Sequence, residues 1–258
     1  MSPLLDQLTA ATGLGADWFR TVALVFLRVG AVMALMPAFG EQVVPRRIRL
    51  ALTVAFTAII TPAVFAPVSA MTGLLLPAAI EILVGLAIGI GMRLFILALQ
   101  MAASIIAQVT SLSQLFGGTT PDPQPAIGNL LTVAALALAV LSGLHVKAAS
   151  LMILSYQILP AGRIPSTSDL ADWGLLQVTN ALVLAFSLAA PFVIGSVIYN
   201  VALGVINKAM PQLAVSLVGA PLLTLASLIL MTLVVPLALM VWLHSFDAYL
   251  AFPFKATP

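Results

Sequence analysis

Residues 108–126 read QVTSLSQLFGGTTPDPQPA and lie between two long apolar blocks that they resemble in nothing. The stretch opens with small polar residues (Thr110, Ser111, Ser113, Gln114), passes through Leu115, Phe116, Gly117 and Gly118, and ends in a proline cluster. Paired glycines lift the Cβ restriction on φ, and Pro121, Pro123 and Pro125 oppose a regular helix. Non-helical backbone is tolerated at bilayer depth only where protein buries it or water reaches it. Two readings fit these residues. One is a surface connection between helices; the other is a loop inside a pore, with Phe116 as an apolar stopper and the glycines as its hinge.

The rest of the chain supplies the membrane context. Of its 258 residues, 62% are hydrophobic and 7% charged, and the mean hydropathy is +1.19. A soluble domain carries about a quarter charged residues, so this composition defines an integral membrane protein. The apolar runs suit spanning helices and lack the alternation of a membrane barrel. The formal net charge is only +2, so the basic pI reflects scarce charges and no nucleic-acid face. No cysteine is present, which excludes disulfides and thiolate chemistry. The N-terminal residues lack a basic n-region and cleavage site, so entry into the membrane is expected to use internal segments.

Apolar blocks fall at about 18–68, 74–115, 127–159, 173–206 and 213–243. We expect an all-α fold of several interrupted, Pro- and Gly-broken helices and helical hairpins, forming one membrane domain over residues 1–258. Asp17 suits the N-cap of a first helix that Pro37 stops. Pro62 and Pro67 are expected to break the second run, and the sequence LSGLHVK around His145 reads as a tight turn between two short helices. Pro45 fits the first turn of a helix led by Arg46, Arg47 and Arg49, and the positive-inside rule places this loop on the cytoplasmic side.

Few charges lie deep in the apolar blocks. Arg28 falls mid-run, where an arginine costs about 3 kcal/mol on insertion scales, so it should face protein or water. Glu81, Gly85, Gly89 and Arg93 recur every four residues, and Gly85–Gly89 is a GxxxG, the spacing that lets helix backbones approach closely. Glu81 and Arg93 are too far apart on one helix to pair. Each needs a partner elsewhere, and Arg28 is the candidate for Glu81. Catalytic and metal-binding patterns are missing: there is no HExxH, GxSxG, P-loop or GxGxxG, and neither histidine has a second histidine at metal spacing. No catalytic, cofactor or metal residue is assigned.

These motifs, in their order and spacing, resemble the FliR/SctT family of type III export-gate subunits over nearly the whole chain. The resemblance rests on Arg28 with Met36-Pro37-Ala38-Phe39-Gly40, on Pro45 with Arg49, and on Glu81-Ile-Leu-Val-Gly85. It continues through residues 108–123 and Ser155-Tyr156-Gln157-Ile158-Leu159-Pro160-Ala161-Gly162. It closes with Leu203-Gly204, Lys208-Ala209-Met210-Pro211-Gln212 and Gly219-Ala220-Pro221-Leu222. The chain departs from the family pattern at Lys208, where arginine is usual, and at Ala214, Ser216 and Leu223.

The resemblance implies a non-enzymatic subunit that joins FliP-like and FliQ-like proteins around a central pore. It also implies FlhB-like and FlhA-like export components as neighbours, unfolded flagellar proteins as cargo, and the flagellar basal body of the bacterial inner membrane as the location. Apparent spans can then be hairpins covered by protein instead of lipid. Leu115, Phe116, Gly117 and Gly118 become the pore plug within loop 108–126. Arg28, Pro37, Glu81, Gly85, Gly89, Arg93, Lys208, Pro211, Gln212, Gly219 and Pro221 become packing and assembly positions. Alternatives are an injectisome homologue of the same gate, a small-molecule secondary transporter and a passive membrane scaffold. The transporter reading lacks an internal repeat and buried polar groups that could recognise a solute.

Overall fold

A computed structural model describes residues 15–41, 43–69, 75–110, 124–209 and 215–254. These residues hold seven helices and no strand: α1 (Ala16–Leu35), α2 (Arg46–Ser69), α3 (Leu75–Thr110), α4 (Gln124–Leu141), α5 (Leu144–Ile158), α6 (Thr167–Ala209) and α7 (Val215–Ala251). Five helices are long and apolar enough to cross a membrane, and α4 with α5, counted as one broken span, would make a sixth. The protein is an all-α integral membrane protein.

Helix ends follow local chemistry. Helix α1 stops at Leu35 because Met36 is extended (ψ 129°) ahead of Pro37, whose ring disfavours the helical region for its predecessor. The next residues close a tight turn: Ala38 adopts φ 68° and the Gly40 amide donates to the Met36 carbonyl at 2.7 Å. A Cβ on Gly40 would stand 2.7 Å from the Ala34 carbonyl oxygen, so only glycine fits. Pro45 caps α2, its carbonyl accepting from the amides of Ile48 and Arg49. Gly143, at φ 85°, makes the turn between α4 and α5 that the sequence led us to expect there.

Two details correct the expectations from sequence. Asp17 is not the N-cap; Gly15 holds that position, and Asp17 lies in the first turn, paired with Arg20 at 3.1 Å. Pro62 and Pro67 do not break α2, which runs on to Ser69. Helix α6 likewise passes through Pro191. In an apolar surrounding a helix tolerates proline, because abandoning the remaining backbone bonds costs more than losing one.

The chain divides into two compact units. The first takes Met1–Arg93, Val140–Gln177 and Asp247–Pro258; the second takes Leu94–Ala139 and Val178–Phe246. In the first, α1 packs along α2. Core positions are Leu24, Val29 and Met33 of α1, Ile60 and Val64 of α2, and Ile80, Val84, Ile88 and Met92 of α3. Thr53, Thr57 and Thr61 form a buried stripe on α2, each hydroxyl donating to the carbonyl four residues earlier, at 2.9, 2.7 and 2.7 Å. Those bonds satisfy hydroxyls that would otherwise be orphaned in the core.

In the second unit, Trp242 is fully buried, stacks on Phe246 with centroids 5.2 Å apart, and donates its indole N–H to the Phe95 carbonyl at 2.9 Å. Small residues of the same unit are buried too: Ala102 and Ala103 of α3, Ala135 and Ala139 of α4, and Ala185 and Ala189 of α6. The Ser196 hydroxyl donates to the Val109 carbonyl at 2.9 Å, close to where the described part of α3 ends.

Candidate functional site

The chemistry of the first unit centres on Arg28 and Glu81, both with no exposed side-chain surface. Arg28 Nε donates to Glu81 Oε2 at 2.6 Å and Nη2 donates to Oε1 at 3.1 Å, a two-pronged pairing. Nη1 donates to the Ser155 hydroxyl and Nη2 also to the Leu159 carbonyl, both at 3.1 Å. Glu81 accepts further bonds from the Tyr156 hydroxyl at 3.2 Å and the Gly162 amide at 3.3 Å. The guanidinium carbon lies 3.7 Å from the centroid of the Tyr156 ring, a cation–π contact.

Desolvating two charges is costly, and their attraction offsets the cost only with good geometry and satisfied remaining bonds. Both conditions hold here. Ser155 and Tyr156 are consecutive on α5, so the first turns one hydroxyl to the arginine and the second brings a ring and a hydroxyl to the pair. The chain then leaves the helix through Leu159, Pro160 and Ala161, and Gly162 at φ 66° aims its amide at the carboxylate.

Along α3 the same face continues into a seam. A Cβ at Gly85 would lie 2.5 Å from the Arg28 carbonyl oxygen and 2.8 Å from the Ala31 Cβ; one at Gly89 would lie 2.9 Å from the Leu35 Cβ. Backbone therefore packs on backbone between α1 and α3. One more four-residue step reaches Arg93, whose Nη1 pairs with Glu41. The Glu41 carbonyl also accepts from Arg49 Nη2 at 2.9 Å. On another face of α3, Tyr249 occupies the space over Gly91 and donates to the Ile88 carbonyl at 3.2 Å. Lys147 joins Asp247 at 2.7 Å, tying α5 to α7 within this unit.

This geometry gathers four of the sequence-derived packing positions, Arg28, Glu81, Gly85 and Gly89, into one cluster, with Arg93 at the end of the seam. Pro37 is buried in the turn after α1. Lys208 sits in the last turn of α6, exposed. Gly219 and Pro221 fall inside α7, but their surroundings lie outside the described residues, as do Leu115, Phe116, Gly117, Gly118, Pro211 and Gln212.

Sequence reasoning assigned no role to Ser155, Tyr156, the Leu159 carbonyl, Gly162 or Glu41. A signal for the first four was present: a hydroxyl pair inside an apolar run, followed by Leu-Pro-Ala-Gly. Glu41 was legible by elimination, since the chain has only 8 carboxylates and few lie near an apolar block. Two cavities, of about 370 and 670 Å³, open in this unit; Leu159 at the edge of the cluster lines the smaller, but neither is lined by Arg28 or Glu81. The cluster is a sealed clasp holding α1, α3 and α5.

Fold and site together define a membrane protein of apolar helices whose deep charges are neutralised within the chain. A profile of the family described as "Bacterial export proteins, family 1" matches residues 19–249. The chain belongs to this family, the FliR/SctT family of the resemblance above. It is similar to the flagellar biosynthetic protein FliR of Caulobacter vibrioides, with 34% identity over 226 residues, covering 85% of this chain and 90% of that protein. The Escherichia coli FliR is 30% identical over 233 residues, with 86% of each chain covered. The Bacillus subtilis FliR is 28% identical over 222 residues, with 83% of this chain and 86% of that protein covered.

Proposed function

We propose that this chain is a non-enzymatic subunit of the flagellar type III export gate in the bacterial inner membrane, forming one functional domain. With FliP-like and FliQ-like subunits it builds the pore through which unfolded flagellar proteins leave the cell, next to FlhB-like and FlhA-like components. Family membership over residues 19–249 is the observation that carries this reading. The fold is compatible with it: long apolar helices present extensive uncovered surface, as a subunit of a larger membrane assembly would. In the described residues the deep charges serve packing and are not arranged around a solute.

The loop of residues 108–126 is the plug of that pore. Leu115 and Phe116 fill the lumen and exclude water and ions, since apolar constrictions close pores by dewetting. Gly117 and Gly118 absorb the φ/ψ change needed when cargo displaces them. Lys208, Pro211, Gln212, Gly219 and Pro221 serve packing between subunits.

Two measurements test the proposal. A tagged copy purified in mild detergent should bring FliP-type and FliQ-type proteins with it in a discrete complex; a clean monomer from cells expressing those partners refutes the gate. Deleting residues 115–118 should then leave the complex intact and raise its ion conductance in planar bilayers. Unchanged conductance of an intact complex refutes the plug.

A further inference from the structure

We propose that the N-terminal end of α2 is a docking surface for anionic phospholipid, with Arg47, and Arg46 beside it in the first turn, meeting the headgroup phosphate and the apolar stripe below Arg47 meeting an acyl chain. The first turn of α2 holds Arg46, Arg47 and Arg49 and no acidic residue. Unpaired N–H groups give that end of a helix a partial positive charge, which disfavours cations and favours an anion. Glu41, five residues before the helix in sequence, does not relieve this, because its side chain is taken by Arg93 and its carbonyl by Arg49. Arg46 and Arg47 are both exposed, and among the described residues no ion pair reaches either.

What lies below the arginines selects the kind of anion. Arg47, Ala51, Val54, Ala55, Ala58 and Ile59 follow on one face of α2, and all are exposed. The opposite face, with Thr53, Phe56, Thr57, Ile60 and Thr61, is buried. From residue 47 to 59 the stripe is roughly 18 Å long at 1.5 Å per residue, against about 15 Å for half of a bilayer's hydrocarbon core. Positive charge at one end of an apolar strip of leaflet length complements an anionic lipid. A soluble phosphate or an acidic peptide would meet the arginines and leave the strip bare. Such a surface needs only the membrane location of the chain and does not depend on the export-gate reading.

The test is native mass spectrometry and thermal unfolding of the full chain in neutral detergent, titrated with phosphatidylglycerol or phosphatidylcholine. Phosphatidylglycerol should be retained preferentially and should raise the Tm more. Each arginine near a membrane surface contributes about fivefold in affinity for anionic lipid, so Arg46→Gln with Arg47→Gln should lower the preference by roughly twentyfold. Arg46→Lys with Arg47→Lys should keep most of it, which separates loss of charge from misfolding. Equal retention of the two lipids by the unaltered chain, or undiminished preference in the glutamine variant, would overturn the proposal. So would displacement of phosphatidylglycerol by equal concentrations of glycerol phosphate or of an acidic peptide, outcomes that assign the arginines to a soluble anion or a protein partner.

Discussion

At the scale of single residues, the Arg28–Glu81 pair is worth more as a specification than as a source of stability. Replacing both members of a buried pair by apolar residues is often neutral, whereas removing one leaves an uncompensated charge and costs about 3–5 kcal/mol. Glu81→Leu should therefore destabilise the full chain strongly in a chosen detergent. The double replacement Arg28→Leu with Glu81→Leu should be less damaging than the single one. Tyr156→Phe removes one hydrogen bond to the carboxylate and should cost about 1.5–3 kcal/mol. Unfolding midpoints of the four proteins order these effects; a double variant less stable than Glu81→Leu alone would show that the pair contributes more than mutual neutralisation. Lys147 and Asp247 are each about a third exposed (34% and 33%). Lys147→Ala should accordingly change stability by no more than about 1 kcal/mol.

At the scale of elements, the seam between α1 and α3 depends on the absence of side chains. Gly85→Ala drives a Cβ into the Arg28 carbonyl and should cost about 1–3 kcal/mol, as overpacking does. At Gly204, within α6, a Cβ would enter open space, with no other atom within 4 Å. Gly204→Ala should therefore stabilise by about 0.4–1 kcal/mol, because it removes freedom from the unfolded chain alone. The same chemical change thus has opposite signs at two helical glycines, and denaturant unfolding checks both. Much of this seam was legible in the sequence. The four-residue recurrence of Glu81, Gly85, Gly89 and Arg93 placed a face on α3, and the scarcity of buried charges suggested Arg28 as a partner. The hydroxyl pair of Ser155 and Tyr156 stood out in α5, but its partner did not, because an apolar helix loses the polar–apolar periodicity that tells which side faces protein. The prolines misled for a related reason. Pro62 and Pro67 are breakers in water, where freed backbone can bond to solvent, and far weaker ones in an apolar phase.

At the scale of the whole molecule, the exposed apolar surface must be covered by something. In the span Leu225–Ala251 of α7 only 11% of the apolar window is buried within the chain, and Leu233 and Leu237 are 66% and 64% exposed. Soluble monomers rarely present contiguous apolar patches of more than a few hundred Å². Lipid and neighbouring subunits are both adequate covers, and hydropathy cannot distinguish them because acyl chains and leucine side chains are equally apolar. The chain's lack of cysteine makes a direct measurement available. A fluorophore on Leu233→Cys, reconstituted alone in vesicles of brominated lipid, should be strongly quenched. In the complex proposed above, quenching should fall several-fold, because a neighbouring helix replaces lipid along α7. Undiminished quenching in an assembled, conducting complex would instead make α7 the lipid-facing side of the subunit. The helices that contact other subunits would then have to be sought among α1 to α6.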